Sequence, residues 1–414
     1  MSSNASALLM ATLLWTVATT AAGRSRLLHP QVKTLQVVVN DDWLSPPVMQ
    51  LHGDVLNVSF DELSHTYHRY IYKLEHCEAD WSPSEQLFDS DWLEGFNGNT
   101  IDDYENSLNT TVPYTHYSLQ IPNEQCRLKM SGNYRLHVID EDNGDEEVLV
   151  AEFYVVEPLM DVGLSVTTNT DIGMNTRYQQ VAMTVNYNTV NVTNVDTQVR
   201  TVVMQNGRED NQRLNIACNY STNKGMKWEH NRHLIFDGGN EYHKFETLAL
   251  SHATMGIDHV GWDGTNYLAY PFVNEPRRNY VYDEDADGTF YIRNSDNMEN
   301  ERTCDYVYVN YKLQPANHYS DADILVDGKW TTEAPDSYVM TYDDTDHSYN
   351  ARILQKQGYY NYQYLMRDKD GTTHTVPEEG SFYETENRYQ ILVYYKGTGE
   401  RTWRLVAYNQ INIH

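Results

Sequence analysis

Hydrophobic and polar residues alternate with a period of two along most of the chain. In the run 70–77, Tyr70, Tyr72, Leu74 and His76 fall on one face, and the residues between them fall on the other. Similar runs, each bounded by Pro, Gly, Asn or Asp, recur at 32–39, 55–60, 115–121, 132–140 and 148–156. Alternation between turn residues is typical of half-buried β-strands. The pattern therefore predicts a small immunoglobulin-like sandwich over 24–158.

The same pattern continues through the rest of the chain. Strands are predicted in the middle at 181–187, 198–205, 242–248, 279–282, 289–293 and 306–313. They predict a larger antiparallel sandwich over 159–315. Further strands are predicted at 322–326, 348–354, 359–366 and 389–395, the last closing the sheet of a third sandwich over 316–414. The fold class expected is all-β, with three antiparallel sandwich-like domains.

One long segment, 78–114, does not alternate but is rich in large aromatic residues. It contains Trp81, Phe88, Trp92, Phe96 and Tyr104. A structureless linker would not carry so many apolar groups, so we expect this loop to fold onto its own sandwich. Aromatic side chains that remain exposed there would form a contact surface.

Composition supports this fold class and excludes some partners. The 414 residues are 12% aromatic and include 33 tyrosines, which suit pleated, half-buried surfaces. The formal net charge of −29 repels phosphate groups and anionic headgroups. We therefore expect no nucleic-acid partner and no direct lipid binding.

The first 23 residues have the pattern of a secretory signal peptide. An apolar centre spans 7–17, and small residues over 18–22 offer a cleavage site. A retained membrane anchor is the alternative, although the apolar run is short for a membrane span. An exported chain can form disulfides, and Cys77 with Cys126 is the one same-domain pair. Buried free thiols are the other possibility for these cysteines.

The candidate chemistry is limited to one acidic turn. Asp283, Asp285 and Asp287 alternate before Gly288, as in the first half of a calcium loop. The twelfth position is Asn294, which cannot supply the usual bidentate carboxylate, so a polar hairpin turn is the alternative. No HExxH or GxSxG motif is present, and the neighbours His76 and Cys77 point to opposite faces of their strand. We therefore predict no catalytic residues, no cofactor and no enzyme activity.

Several motifs resemble one known family. His76-Cys77-Glu78-Ala79-Asp80-Trp81, Leu93-Glu94-Gly95-Phe96 and Tyr114-Thr115-His116-Tyr117 resemble the N-terminal domain of the plug proteins of the type IX secretion system. The segments 283–293, 354–362 and 380–387 resemble that family's middle and C-terminal regions.

This resemblance implies a non-catalytic periplasmic protein at the inner side of the outer membrane. Such a protein occludes the large translocon barrel, which would be its partner. The candidate contact residues are Trp81, Trp92, Phe96, Tyr383 and Glu384.

Two alternatives remain open from the sequence. The third domain also resembles starch- and glycogen-binding sandwiches, through Asp327-Gly328-Lys329-Trp330 and the segment 358–362. An exported carbohydrate-binding protein is therefore one alternative. The other is a secreted all-β hydrolase, which would need a cleft holding two carboxylates or a metal.

Overall fold

The computed structural model describes residues 24–413, so the expected signal peptide lies outside the described residues. Nearly all regular structure consists of strands, which confirms the all-β fold class. The helical elements are single turns: α1 (Asp89–Trp92), α2 (Val195–Gln198), α3 (Asn300–Thr303) and the 3-10 turns Arg232–Leu234, Pro335–Tyr338 and Pro377–Glu379.

The first sandwich contains twelve strands. They are β1 (Arg26–Leu27), β2 (Val32–Val39), β3 (Val48–Gln50), β4 (Leu56–Glu62), β5 (Tyr70–Cys77), β6 (Leu93–Gly95), β7 (Asn99–Thr100), β8 (Asp103–Asn106), β9 (Thr115–Ile121), β10 (Cys126–Leu128), β11 (Gly132–Asp140) and β12 (Glu146–Val156). One sheet has the order β1-β12-β11-β5-β7, with β3 parallel to β12, and the other has the order β2-β4-β9-β8. Strands β6 and β10 form a separate two-stranded ribbon. Tyr70, Tyr72 and Leu74 point into the core, as the alternation predicted.

The second sandwich begins with seven strands. They are β13 (Asp161–Thr167), β14 (Tyr178–Asn186), β15 (Val199–Gln205), β16 (Arg213–Leu214), β17 (Tyr220–Thr222), β18 (Gly225–Trp228) and β19 (Ile235–Asp237). One sheet has the order β13-β14-β18-β17, with β19 also paired to β14. The partner sheet starts as β16-β15 and is completed only by the last strands of the chain.

The third sandwich is inserted into the second. Its strands are β20 (His243–Glu246), β21 (Ile257–Trp262), β22 (Tyr267–Pro271), β23 (Phe290–Ile292), β24 (Tyr306–Leu313), β25 (Ala322–Asp327), β26 (Thr341–Asp343), β27 (Ser348–Lys356), β28 (Gly358–Asp368) and β29 (Thr373–Thr375). The order β21-β22-β24-β27-β26 forms one sheet, and β20, β23, β25 and β29 all pair with β28 in the other. Tyr360, Tyr362, Tyr364 and Met366 of β28 fill the core on one face, as predicted.

The chain then returns to the second sandwich, which corrects the expected division at residue 315. Strands β30 (Asn387–Tyr395) and β31 (Arg404–Ile413) extend the sheet β16-β15-β30-β31, so 389–395 does not close the third sandwich. The predicted boundary at residue 315 therefore lies inside the third sandwich, between β24 and β25, whose side chains share one core. The physical reason is that β30 is buried on both faces. One face packs in the second core, and the other packs with Val202, Met204 and Val156 against the first sandwich.

Candidate functional site

The family-like loop after β5 lies in the joint between the first and second sandwiches. The Trp403 amide donates to Glu78 Oε2 at 3.0 Å, across 325 residues of sequence. Trp81 is only 7% exposed, and its ring packs 5.2 Å from that of Tyr154. The structure therefore places Trp81 inside the protein, where it supports the joint, and not on an open contact surface.

A buried serine–histidine pair strengthens the same joint. His76 Nδ1 lies 2.8 Å from Ser84 Oγ, and His76 Nε2 lies 3.3 Å from the Ser131 carbonyl. The Ser84 hydroxyl also lies 3.2 Å from that of Thr402 in the β30–β31 turn. Burial lowers the pKa of His76, which favours the neutral ring. Both side chains are enclosed, and the contact between Ser84 and Thr402 connects the loop to the C-terminal hairpin.

Two phenylalanines on the next stretch form an exposed surface that we call the aromatic tip, made of Phe88 and Phe96. They are 75% and 77% exposed, whereas Trp92 between them is 4% exposed and packs in the first core. Exposing two large aromatic rings on one short segment is unfavourable in water unless a partner covers them. Of the predicted contact residues in this loop, the structure therefore exposes Phe96 and buries Trp92.

The backbone beneath the aromatic tip is held rigidly. Gly95 has φ +106°, and a Cβ there would lie 2.0 Å from the Gln125 carbonyl oxygen, so only glycine fits. The Asn97 side chain accepts from the Leu74 amide at 2.8 Å and donates to the Leu74 carbonyl at 2.9 Å. These contacts fix the backbone on both sides of Phe96, at Gly95 and Asn97, to the rest of the first sandwich.

A second joint connects the first and third sandwiches through a buried ion pair. Lys356 Nζ donates to Asp61 Oδ2 at 2.7 Å, and the two side chains are 1% and 0% exposed. The Tyr306 hydroxyl donates to the same oxygen at 2.7 Å, and His116 Nδ1 lies 2.7 Å from Asp61 Oδ1. Burial raises the pKa of Asp61, but Lys356 and His116 outweigh it, so the pKa lies below its usual value.

Other contacts extend this second joint. The Asp305 carboxylate accepts from the amides of Thr111 and Val112 at 2.6 and 3.1 Å. The Tyr114 hydroxyl donates to the Cys304 carbonyl at 2.8 Å, and Lys356 Nζ lies 4.1 Å from the centre of the Tyr114 ring. The motifs 114–117 and 354–362, which lie far apart in the sequence, therefore meet here.

The C-terminal motif 380–387 connects the third sandwich to the second. Gln179 Nε2 donates to the carbonyls of Tyr383 and Thr385 at 2.9 and 2.7 Å. Tyr383 is half-buried and Glu384 is exposed, so this motif combines a structural backbone with a small open surface. It belongs to a different part of the molecule from the aromatic tip, and the structure does not bring the two sets of predicted contact residues together.

The acidic turn does not assemble into a calcium site. Asp283 is exposed and pairs with Lys244, whereas Asp285 accepts the amides of Tyr242 and Asp287. Burial raises the pKa of Asp285 to about 8, and the neighbouring charge of Asp287 adds to this rise. Within residues 24–413, no group of three His, Cys, Asp or Glu side chains is arranged to hold a metal ion.

Three aromatic residues of the segments that resemble a sugar-binding sandwich, Trp330, Tyr360 and Tyr362, are part of the third core. Trp330 is buried, stacks 6.1 Å from Tyr311 and donates its indole N–H to the Asn361 carbonyl.

Cys77 and Cys126 are free thiols on opposite faces of the sheet, and Cys126 Sγ lies 3.4 Å from the Tyr72 hydroxyl. Among the described residues, the helices are too short to cross a bilayer.

Comparison with known proteins gives two matches that carry information. The model of the first domain of type 9 secretion system plug proteins matches residues 32–157. A crystal structure of a hypothetical protein from Parabacteroides merdae superposes with a TM-score of 0.90 at 34% identity, covering 94% of this chain and 99% of that one. The N-terminal region of an enterococcal surface protein aligns over 94% of this chain and 95% of its own, but at 6% identity and a TM-score of 0.18 it supports no argument. No curated protein matches the chain.

Reasoning from the sequence did not identify most of the residues that form the joints. Lys356 and Arg200 are cations in strands, and Trp403 follows a turn, so no local pattern distinguishes them. Their partners lie more than one hundred residues away in the chain. The usable signal was the motif resemblance, because the motifs coincide with the joints.

Proposed function

Because this chain belongs to the type 9 secretion system plug protein family, we propose that it is a periplasmic, non-catalytic plug that occludes the outer-membrane translocon of type IX secretion. Membership of this family gives a role associated with type IX secretion and an accessory function without catalysis. The proposal adds the periplasmic position at the inner side of the outer membrane, the translocon barrel as partner, and occlusion as the task.

The observation that carries the proposal is the way the family-like motifs join the three sandwiches. The loop after β5 holds the second sandwich, Asp61 and Tyr114 hold the third, and the segment 380–387 connects the third to the second. A stopper for a wide pore must resist bending, and buried polar contacts at each joint provide that stiffness. Independent sandwiches on flexible linkers would not obstruct a pore in this way.

The aromatic tip is the proposed point of contact with the barrel. Phe88 and Phe96 are the two most exposed large apolar side chains of the described residues, and they adjoin the motif Leu93-Glu94-Gly95-Phe96. The backbone at Phe96 directly follows β6 of the β6–β10 ribbon, which reduces the backbone entropy lost on binding. A contact of this small apolar area on a polar surface suits a stopper that must also be released.

No specific observation favours either alternative function, carbohydrate binding or hydrolysis. Trp330, Tyr360 and Tyr362 of the segments that resemble a sugar-binding sandwich are in the core, and the serine–histidine pair is enclosed and structural.

Outer-membrane permeability tests the proposal in cells that contain the translocon. Removal of this chain should admit a bulky antibiotic that the outer membrane normally excludes, and the wild-type chain should restore exclusion. A Phe88→Ser/Phe96→Ser variant should fail to restore it. Tyr220→Ser is the matched control, because Tyr220 is also an exposed ring, 62% exposed, but lies on the second sandwich. Unchanged permeability without the chain would refute the proposal.

A further inference from the structure

A cleft of about 440 Å³ lies between the first and second sandwiches. We call it the joint cleft, and its lining residues are Glu78, Asp80, Ser82, Pro83, Glu85, Gln86, Arg200, Lys396, Arg401 and Trp403. One wall is therefore the family-like loop after β5, and the other is the C-terminal hairpin with Arg200 of β15. The volume is sufficient for a few side chains of another polypeptide.

Two carboxylates that line this cleft, and a third beside it, already have partners. Glu78 accepts from the Trp403 amide at 3.0 Å. Asp80 accepts from the Ser82 hydroxyl and amide at 2.6 and 3.3 Å, and these hydrogen bonds lower its pKa. Beside the cleft, Asp91 pairs with Arg401 at 2.8 Å. Each of these three carboxylates is thus already engaged by at least one donor of the chain itself.

The cations in the cleft retain free donors. The Arg200 guanidinium lies 4.4 Å from the centre of the Trp403 ring and 3.6 Å from Asp80, yet it makes no hydrogen bond with the described residues. Lys396 Nζ uses one of its three N–H groups, donating to the Arg401 carbonyl at 3.0 Å. A guanidinium stacked on an indole is oriented in advance, and its planar fork matches a carboxylate.

We propose that the joint cleft binds a carboxylate carried by the translocon, with Arg200 and Lys396 as the receptor pair. The proposal rests on the proposed function for the identity of the partner. It runs against the overall charge of −29, which on its own favours a basic partner. The Arg200 guanidinium and two of the three N–H groups of Lys396 have no acceptor among the described residues, and such donors require an acceptor.

The cleft and the aromatic tip form one continuous surface. Arg401 Nη1 donates to the Gln86 carbonyl at 3.0 Å, and Asp91, the partner of Arg401, also accepts from the Phe88 amide at 2.9 Å. A single segment of the barrel could therefore place its carboxylate in the cleft and apolar side chains against Phe88. Glu85 is an exposed lining residue whose carboxylate accepts no hydrogen bond from the described residues, so its charge opposes an anion there and it provides an internal control.

The test is the equilibrium affinity of the purified chain for purified, detergent-solubilised translocon, measured by biolayer interferometry at fixed ionic strength. Arg200→Gln and Lys396→Gln should each weaken binding about tenfold, because each removes a donor to the carboxylate. Glu85→Gln should leave binding unchanged or strengthen it. Each variant must retain the wild-type melting temperature, and Lys396→Gln preserves the test if Arg200→Gln disturbs Trp403.

The outcomes separate this inference from the proposed function. If the wild-type chain does not bind the translocon, the proposed function fails. If the wild type binds and both cation variants bind equally well, the carboxylate receptor is refuted while the plug remains. Weaker binding by Glu85→Gln would also overturn the inference, because it would assign the cleft to a basic ligand.

Discussion

The buried ion pair between Asp61 and Lys356 gives the most informative stability prediction. Replacing Asp61 by Asn leaves the Lys356 ammonium, 1% exposed, with the Glu301 carbonyl at 2.6 Å and the Tyr114 ring but without an anion. Removing one partner of a buried ion pair costs about 3–5 kcal/mol, since the other charge stays desolvated. We therefore expect Asp61→Asn to lower the free energy of unfolding by roughly this amount, with the loss beginning where the first and third sandwiches meet.

The assay combines urea unfolding with hydrogen exchange. Exchange should quicken in peptides covering 56–62 and 351–361 before it changes in the second sandwich. An Asp61→Leu/Lys356→Met double variant should lose less stability than the sum of the two single variants, because neither charge is then left unpaired. Lys369→Met is the control, since its pair with Asp321 is exposed on both sides and should not affect stability. A cost below about 1 kcal/mol for Asp61→Asn would refute the reasoning that this pair holds the joint together.

Three further predictions concern single positions. Gly95→Ala should cost about 1–3 kcal/mol and detach the β6–β10 ribbon, because the Cβ collides with backbone at φ +106°; ribbon hydrogen exchange measures this. Burial raises the pKa of Glu379, but His243 and Arg277 more than offset it and lower the pKa to about 2. The ionised Glu379 carboxylate therefore contributes about 3 kcal/mol to the free energy of unfolding above pH 4.5, and this contribution is lost as the pH falls towards 2. The free energies of unfolding of wild type and Glu379→Gln, measured with urea, should therefore converge near pH 2. Burial raises the pKa of Glu209 to about 8, so stability declines as the pH rises from 4.5 to 8, and Glu209→Gln should melt above wild type at pH 8 but not at pH 4.

The strands and their inward faces could be predicted from sequence because the period of two records which side chains are buried. Strand β5 and strand β28 show this clearly, with Tyr70, Tyr72 and Leu74 in one core and Tyr360 and Tyr362 in another. The pairing of strands could not be predicted in the same way. Strand β30 pairs with β15 across nearly two hundred residues, and alternation carries no information about so distant a partner.

The candidate site could be predicted only in part from the sequence, for a related reason. Trp92 and Phe96 are aromatic residues four positions apart, yet one is buried and the other exposed. What separates them is the short strand β6, with its pairing to β10 and the close approach of Gly95 to Gln125, and these depend on tertiary structure. Aromatic content thus predicted a contact region but could not distinguish its buried members from its exposed ones. The joint cleft was absent from the sequence argument because its two walls meet only in the folded chain.

Occlusion itself is the central claim, and the conductance of the purified translocon in a planar bilayer tests it most directly. Adding this chain to the periplasmic side should reduce the conductance of open channels. The Phe88→Ser/Phe96→Ser variant should require a higher concentration for the same effect, and Tyr220→Ser should match the wild type. A translocon that binds the chain yet conducts as before would contradict the account.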